Sequence, residues 1–137
     1  MYLVFDTETT GLPRDWNAPL HDLDNWPRVV QVAWQLHAAD GSLIEARDFL
    51  VQPDGFNIPF GAEEIHGIST ELARSEGVPA TEALGAFRAA LDQTQFMVGH
   101  NLKFDLNALG AEFLRLGWDE SWIQKPVLDT MTPQTAA

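Results

Sequence analysis

Apolar and polar positions along this 137-residue chain repeat with two different periods, and the switches between them mark out its elements. Tyr2–Asp6 is a short apolar run of strand type. Val29–His37 and Leu43–Val51 are rich in strand formers, and the Asp40-Gly41 between them predicts a hairpin. Gln95–Gly99 reads as a short buried strand and Pro126–Leu128 as a last short one. Helical spacing takes over elsewhere. Ser69 is placed to cap a short helix ending near Gly77, and a second helix begins at Thr81 with Leu84, Phe87 and Leu91 on one face. A third runs from about Phe104 to Leu116. Two stretches carry neither period and read as loops: Pro13 to about Pro27, and Phe56–Gly67.

The resulting order is strand, hairpin, helices, strand, helix, strand. It predicts an α/β or α+β domain with helices on the faces of a sheet. A mixed five-stranded sheet with an antiparallel second strand fits this order. A loop as long as Pro13–Pro27 is usually functional or mobile in a compact domain. Of its two tryptophans, Trp16 and Trp26, at least one is expected to pack on the core, and the pair could cover a cleft.

Composition narrows the setting. The length suits one domain, and 45% hydrophobic residues fit a globular protein. No apolar run approaches the ~20 residues of a membrane span. The first residues lack the pattern of an export signal, and there are no cysteines; both point to the cytoplasm. A net charge of −12 argues against tight, nonspecific binding of nucleic acid by this chain alone, because phosphate-dominated interfaces need cations. It leaves room for brief, metal-mediated engagement of one strand end.

The chemistry concentrates in two places. In Val4-Phe-Asp-Thr-Glu-Thr-Thr-Gly-Leu12, residues two apart on a strand share a face, so Asp6 and Glu8 stand side by side at its carboxyl end. Adjacent anions repel unless a cation lies between them, and hard oxygen donors suit Mg²⁺ or Mn²⁺. A solvated strand end is the simpler reading of such a pair taken alone. The second place is Val98-Gly-His-Asn-Leu-Lys-Phe-Asp105. Asp105 falls on the same helical stripe as Leu109, Phe113 and Leu116, where a charge is costly unless paired or bound to metal. It could instead cap the helix. His100 and Asn101 occupy a strand-to-helix turn, where open α/β sheets present ligands.

Taken together, these motifs resemble those of the DEDD 3′→5′ exonucleases. Phe5–Leu12 looks like the first exonuclease motif and His100–Asp105 like the second. Ile65-His66-Gly67-Ile68 matches an element common in the polymerase-proofreading branch, that of the epsilon subunit of bacterial replicative polymerase. The resemblance spans Tyr2 to Thr130. It implies a ribonuclease-H-like mixed five-stranded sheet flanked by helices, and two divalent ions that drive release of nucleoside monophosphates from a 3′ end. By resemblance, Asp6 would bridge both ions, and Glu8 and Asp105 would complete the carboxylate set. Thr9, Thr10 and Leu12 match positions that hold the terminal nucleotide; Thr10-Gly11 could equally be a turn that ends the strand. Phe104 could stack on a base or belong to the core. His66 could approach the nucleotide or serve as a hinge before Gly67, and Asn101 could position the phosphate or fix the turn. The implied partners are a nucleic-acid 3′ end, foremost single-stranded DNA, and a DNA polymerase subunit.

The chain also departs from that pattern. The family carries a fourth aspartate and a general base on a C-terminal helix, as His-x-x-x-x-Asp or Tyr-x-x-x-Asp. No histidine or tyrosine follows Asp105, where the acids are Glu112, Asp119, Glu120 and Asp129. Asp129 resembles an aspartate that precedes the third motif and is not a metal ligand. Residues 1–137 are therefore expected to form a single exonuclease domain cut short at its C-terminus, without its last helix. Two alternatives remain beside a DNA exonuclease: a non-catalytic module that binds nucleic-acid ends or protein through a partial metal site, and an RNA-directed exonuclease.

Overall fold

The structure is a computed structural model, and it describes residues 1–119 and 125–129. A five-stranded sheet is built from β1 (Tyr2–Thr9), β2 (Val29–His37), β3 (Leu43–Leu50), β4 (Phe96–Gly99) and β5 (Val127–Asp129), in the order β3-β2-β1-β4-β5. Helices α1 (Phe60–His66), α2 (Thr70–Glu76), α3 (Ala80–Leu91) and α4 (Leu102–Arg115) accompany it. β2 runs antiparallel to both β1 and β3, while β4 is parallel to β1 and β5. This is the expected mixed sheet. No helix among the described residues is long and apolar enough to cross a membrane.

Alternation along β1 decides what the sheet buries. Leu3, Phe5, Thr7 and Thr9 turn inward, leaving Tyr2, Val4, Asp6 and Glu8 on the opposite face. Phe5 meets the Phe87 ring edge-on at 5.2 Å, and Trp34 meets it at 5.6 Å. Leu84, Phe87 and Leu91 of α3 are wholly buried, as are Leu109 and Phe113 of α4. Each such side chain contributes ~1.5–3 kcal/mol by leaving water. A smaller cluster of Val30, Ile58, Ala62, Ile68 and Ala73 anchors α1 and α2.

Most expected boundaries hold within a residue or two, α4 among them, and those of β1 and α1 depart further. β1 continues past Asp6 to Thr9, because its pairing with β2 persists to the bulge at Glu8/Thr9. α4 begins at Leu102, before Phe104, because the Asp129 carboxylate accepts the Asn101 amide at 2.9 Å and the Leu102 amide at 2.8 Å. These bonds satisfy amides that a helix start leaves open. Helix α1 lies where a loop was expected. It shows no amphipathic stripe, since Phe60 and Ile65 are exposed and only Ala62 is buried. The expected absence of a final helix concerns residues after Asp129, outside the described part.

Gly77 has a steric role. A Cβ there would lie 2.2 Å from the Ala73 carbonyl oxygen and 2.9 Å from the Gln52 amide nitrogen, both rigid backbone atoms. Gly77→Ala is expected to destabilise the fold by ~1–3 kcal/mol. A lower urea midpoint would register this; an unchanged midpoint would show that α2 can shift away from Gln52 at little cost.

Candidate active site

β1 pairs with β4 only from Tyr2 to Val4, so its carboxyl end runs on past the parallel partner. The first turn of α4 faces this projecting end, which places Thr7 and Asp105 in contact although they are 98 positions apart. Such a crevice beyond the carboxyl ends of parallel strands is where α/β sheets present ligands.

Asp105 is 3% exposed, and its Oδ1 accepts the Thr7 hydroxyl at 2.5 Å. The cap reading is thereby replaced: Asn101 holds the N-cap position, and Asp105 points into the fold toward β1. Burial pushes the Asp105 carboxyl up to about 7. The Thr7 hydroxyl opposes this, while the charges of Asp6, Glu8 and Asp129 push it further up. Asp6 is exposed on the other face of β1 and accepts the Thr7 amide at 2.9 Å. Among the described residues, no group of three His, Cys, Asp or Glu side chains is arranged to hold a metal ion. Asp6, Glu8 and Asp105 therefore share one electrostatic neighbourhood without forming a closed ligand cage.

Beside them lies a cleft of about 320 Å³ lined by Thr7, Glu8, Thr9, Gly11, Leu12, Gly61, Ala62, Ile65, His66 and Phe104. Five of the residues singled out from the sequence meet here: Glu8, Thr9, Leu12, His66 and Phe104. Leu12 is 73% exposed and Ile65 is 85% exposed, so the cleft offers apolar surface to an incoming group. His66 has both ring nitrogens engaged. Its Nδ1 accepts the Ile68 amide at 3.1 Å, which leaves Nε2–H to donate to the Thr9 carbonyl at 3.2 Å. That pairing ties the end of α1 to the end of β1.

Thr10 and Asn101 do not line this cleft. The Thr10 amide donates to the Arg28 carbonyl at 2.9 Å, and its hydroxyl accepts the Arg28 amide at 3.0 Å, which joins the end of β1 to the start of β2. Asn101 adopts a left-handed backbone conformation (φ 58°, ψ 47°) that asparagine tolerates better than most residues. Of the α1 wall the sequence singles out His66, within Ile65-His66-Gly67-Ile68, but not Gly61 or Ala62, and it does not single out Thr7. For Thr7 a signal exists in its position between Asp6 and Glu8, on the inward face of the same strand. Gly61 and Ala62 had none, because the exposed apolar residues of α1 imitate a loop.

The other acids after Asp105 are accounted for in part. Glu112 is buried and accepts Arg28 Nε at 2.7 Å, with Arg115 Nη1 on the same oxygen. Asp129 caps α4.

The end of β1 thus carries Asp6 and Glu8 on one face and meets the helix-borne Asp105 through Thr7 on the other, in a five-stranded mixed sheet. The chain belongs to the Exonuclease family, whose sequence model matches residues 3–133. It is 28% identical to the PolC-type DNA polymerase III of Pediococcus pentosaceus, over 96% of this chain and 8% of that protein. It is 32% identical to a DNA polymerase III subunit epsilon-like protein of Rhodobacter capsulatus, over 95% of this chain and 16% of the relative. The chain thus spans only a small part of these curated relatives. Among solved structures it matches E. coli exonuclease I in complex with a dT13 oligonucleotide, with a TM-score of 0.77 at 23% identity. That match covers 94% of this chain and 27% of exonuclease I, and the shared fold is ribonuclease-H-like.

Proposed function

We propose that this chain carries the exonuclease domain of a cytoplasmic, two-metal-ion 3′→5′ exonuclease that releases nucleoside monophosphates from single-stranded DNA ends. The observation that carries this reading is the approach of Asp105 to the Asp6-x-Glu8 strand end beside the Leu12–His66–Phe104 cleft. Family membership supports hydrolysis of a nucleic-acid end. The oligonucleotide held by exonuclease I supports DNA, and the polymerase relatives make a polymerase subunit the partner to test.

Each residue then has a physical task. Leu12 and Phe104 offer apolar faces to the terminal base, and Thr9 with the amides at the end of β1 meets its sugar. His66, with both ring nitrogens committed, is a positioning residue that fixes α1 against Thr9 and is not a free base. Asp6, Glu8 and Asp105 would hold Mg²⁺ or Mn²⁺, which fits an all-oxygen donor set in which burial, and then the neighbouring negative charges, raise Asp105. Bound there, such ions supply an attacking water of lowered pKa and neutralise charge on the departing oxygen. Asp105 must release its proton to take part, while Thr7 holds its other contact in place.

The test is the fate of 5′-labelled DNA and RNA oligonucleotides incubated with Mn²⁺ or Mg²⁺ and the product of the complete reading frame. Stepwise shortening from the 3′ end of DNA is expected. Asp6→Ala should slow it by about 10³-fold, the equivalent of several kcal/mol of lost transition-state stabilisation. Shortening that ignores Asp6→Ala, or no shortening with either metal, would overturn the reading; preferential attack on RNA would reassign the substrate.

A further inference from the structure

We infer that Trp16 forms a second nucleobase platform, which receives the base immediately 5′ to the terminal nucleotide. The inference rests on the exonuclease reading above and extends its site by one nucleotide. Trp16 is 41% exposed, and its ring centroid lies 5.6 Å from that of Phe104. Phe104 also lines the 320 Å³ cleft, so the aromatic surface is continuous from the cleft to Trp16. The two rings are inclined at 52°, so neither covers the face of the other by parallel stacking.

The loop that carries Trp16 is built to present it. Asn25 is 5% exposed; its Oδ1 accepts the Asp15 amide at 2.8 Å and its Nδ2 donates to the Asp15 carbonyl at 2.9 Å. On the other side of Trp16, the Asn17 amide donates to Asp15 Oδ1 at 2.9 Å. Further along, Leu20 sits against α4 so closely that a Cβ on Gly110 would come within 2.7 Å of its Cδ2. Arg115 Nη2 then donates to the carbonyls of Leu23 and Trp26. The loop therefore lies along α4 with its backbone pinned, and Trp26 is buried at 3% while Trp16 stays accessible. A tryptophan held in place but left open costs little conformational entropy to use.

Charge explains why a base, rather than a phosphate, is the occupant. The chain has 8 Lys and Arg against 20 Asp and Glu, and Arg28 and Arg115 are already committed to Glu112. Ionic contacts along the strand are scarce. Stacking does not depend on charge and accepts any base, since every base has a π-face.

The test compares wild type, Trp16→Ala and Trp16→Phe on the single-stranded tetranucleotide dT4, by KM in Mn²⁺ and by Kd from the fluorescence anisotropy of 5′-fluorescein-labelled dT4 in Ca²⁺. Trp16→Ala is expected to weaken both by about tenfold, within the range for one stacked base, with kcat far less affected. Trp16→Phe should recover most of the loss, which a merely structural loop defect would not. The same variants should respond less strongly on a one-nucleotide substrate, thymidine 5′-p-nitrophenyl phosphate. If wild type cleaves dT4 and Trp16→Ala matches it in KM and Kd, the platform is overturned while the exonuclease reading stands. If wild type fails to cleave, the exonuclease reading falls, and the platform is judged on the tenfold change in Kd alone.

Discussion

Asp105→Asn is expected to raise the stability of the metal-free protein at pH 8 and, in the same variant, to abolish metal-dependent cleavage. The carboxyl has a folded-state pKa of about 7 against an ordinary value of 3.8, with burial as the main cause. Between those values the folded chain keeps a proton that the unfolded chain has lost. Stability therefore falls as pH rises from ~4 through ~7, and the full penalty is present above 7. Its size is on the order of 4 kcal/mol. Asparagine retains an oxygen to accept the Thr7 hydroxyl but carries no charge, so it escapes this penalty. Thermal melts in EDTA at pH 5 and pH 8 should show wild type losing stability and Asp105→Asn holding level. Adding Mn²⁺ at pH 8 should recover wild type and leave the variant nearly unmoved, because an ion that binds only the folded state stabilises it by mass action. A variant that is less stable than wild type at pH 8 would contradict the assignment of Asp105 as a strained, ligand-seeking carboxylate.

Glu112→Ala is expected to cost the fold ~3–5 kcal/mol, the usual consequence of removing one partner from a buried ion pair. Glu112 is 2% exposed and serves two arginines. Burial already pushes the Arg115 guanidinium down, and the Glu112 charge is the largest influence that restores it. Without Glu112, two partly buried cations face each other. Arg115 also holds the Leu23 and Trp26 carbonyls, so the loss should spread to the Pro13–Pro27 loop. A large drop in urea midpoint, with faster tryptic cleavage after Arg14 and Arg28, is the expected result. Near-wild-type stability with an intact loop would show that the network contributes little to anchoring it.

These two residues illustrate how far the sequence reaches. Asp105 could be suspected because its spacing from Leu109 and Phe113 puts a charge on a core-facing stripe. Glu112 lies on the same stripe, seven residues after Asp105, and Arg115 is its i,i+3 neighbour; what the sequence hides is its second partner, Arg28, which comes from the start of β2. The Pro13–Pro27 segment looked structureless for a related reason. Its order is held by side chain-to-backbone bonds of Asn25 and Arg115, and by Leu20 against Gly110, none of which has a period.

By itself the sequence determined the strands, the amphipathic helices and the identity of the acidic strand-end pair. Each of these depends on one local rule: residues that share a face recur every two positions in a strand and every three to four in a helix. Only the tertiary structure decided which carboxylate is buried, that Thr7 touches it, that Asp129 caps α4, and that Trp16 stands beside Phe104. Those contacts join segments tens of residues apart, and no local period records them. Helix α1 marks the boundary between the two kinds of information. Its apolar residues Phe60 and Ile65 remain exposed, Ile65 lining the cleft, rather than buried in the core, so the helix escaped the very pattern that revealed the others.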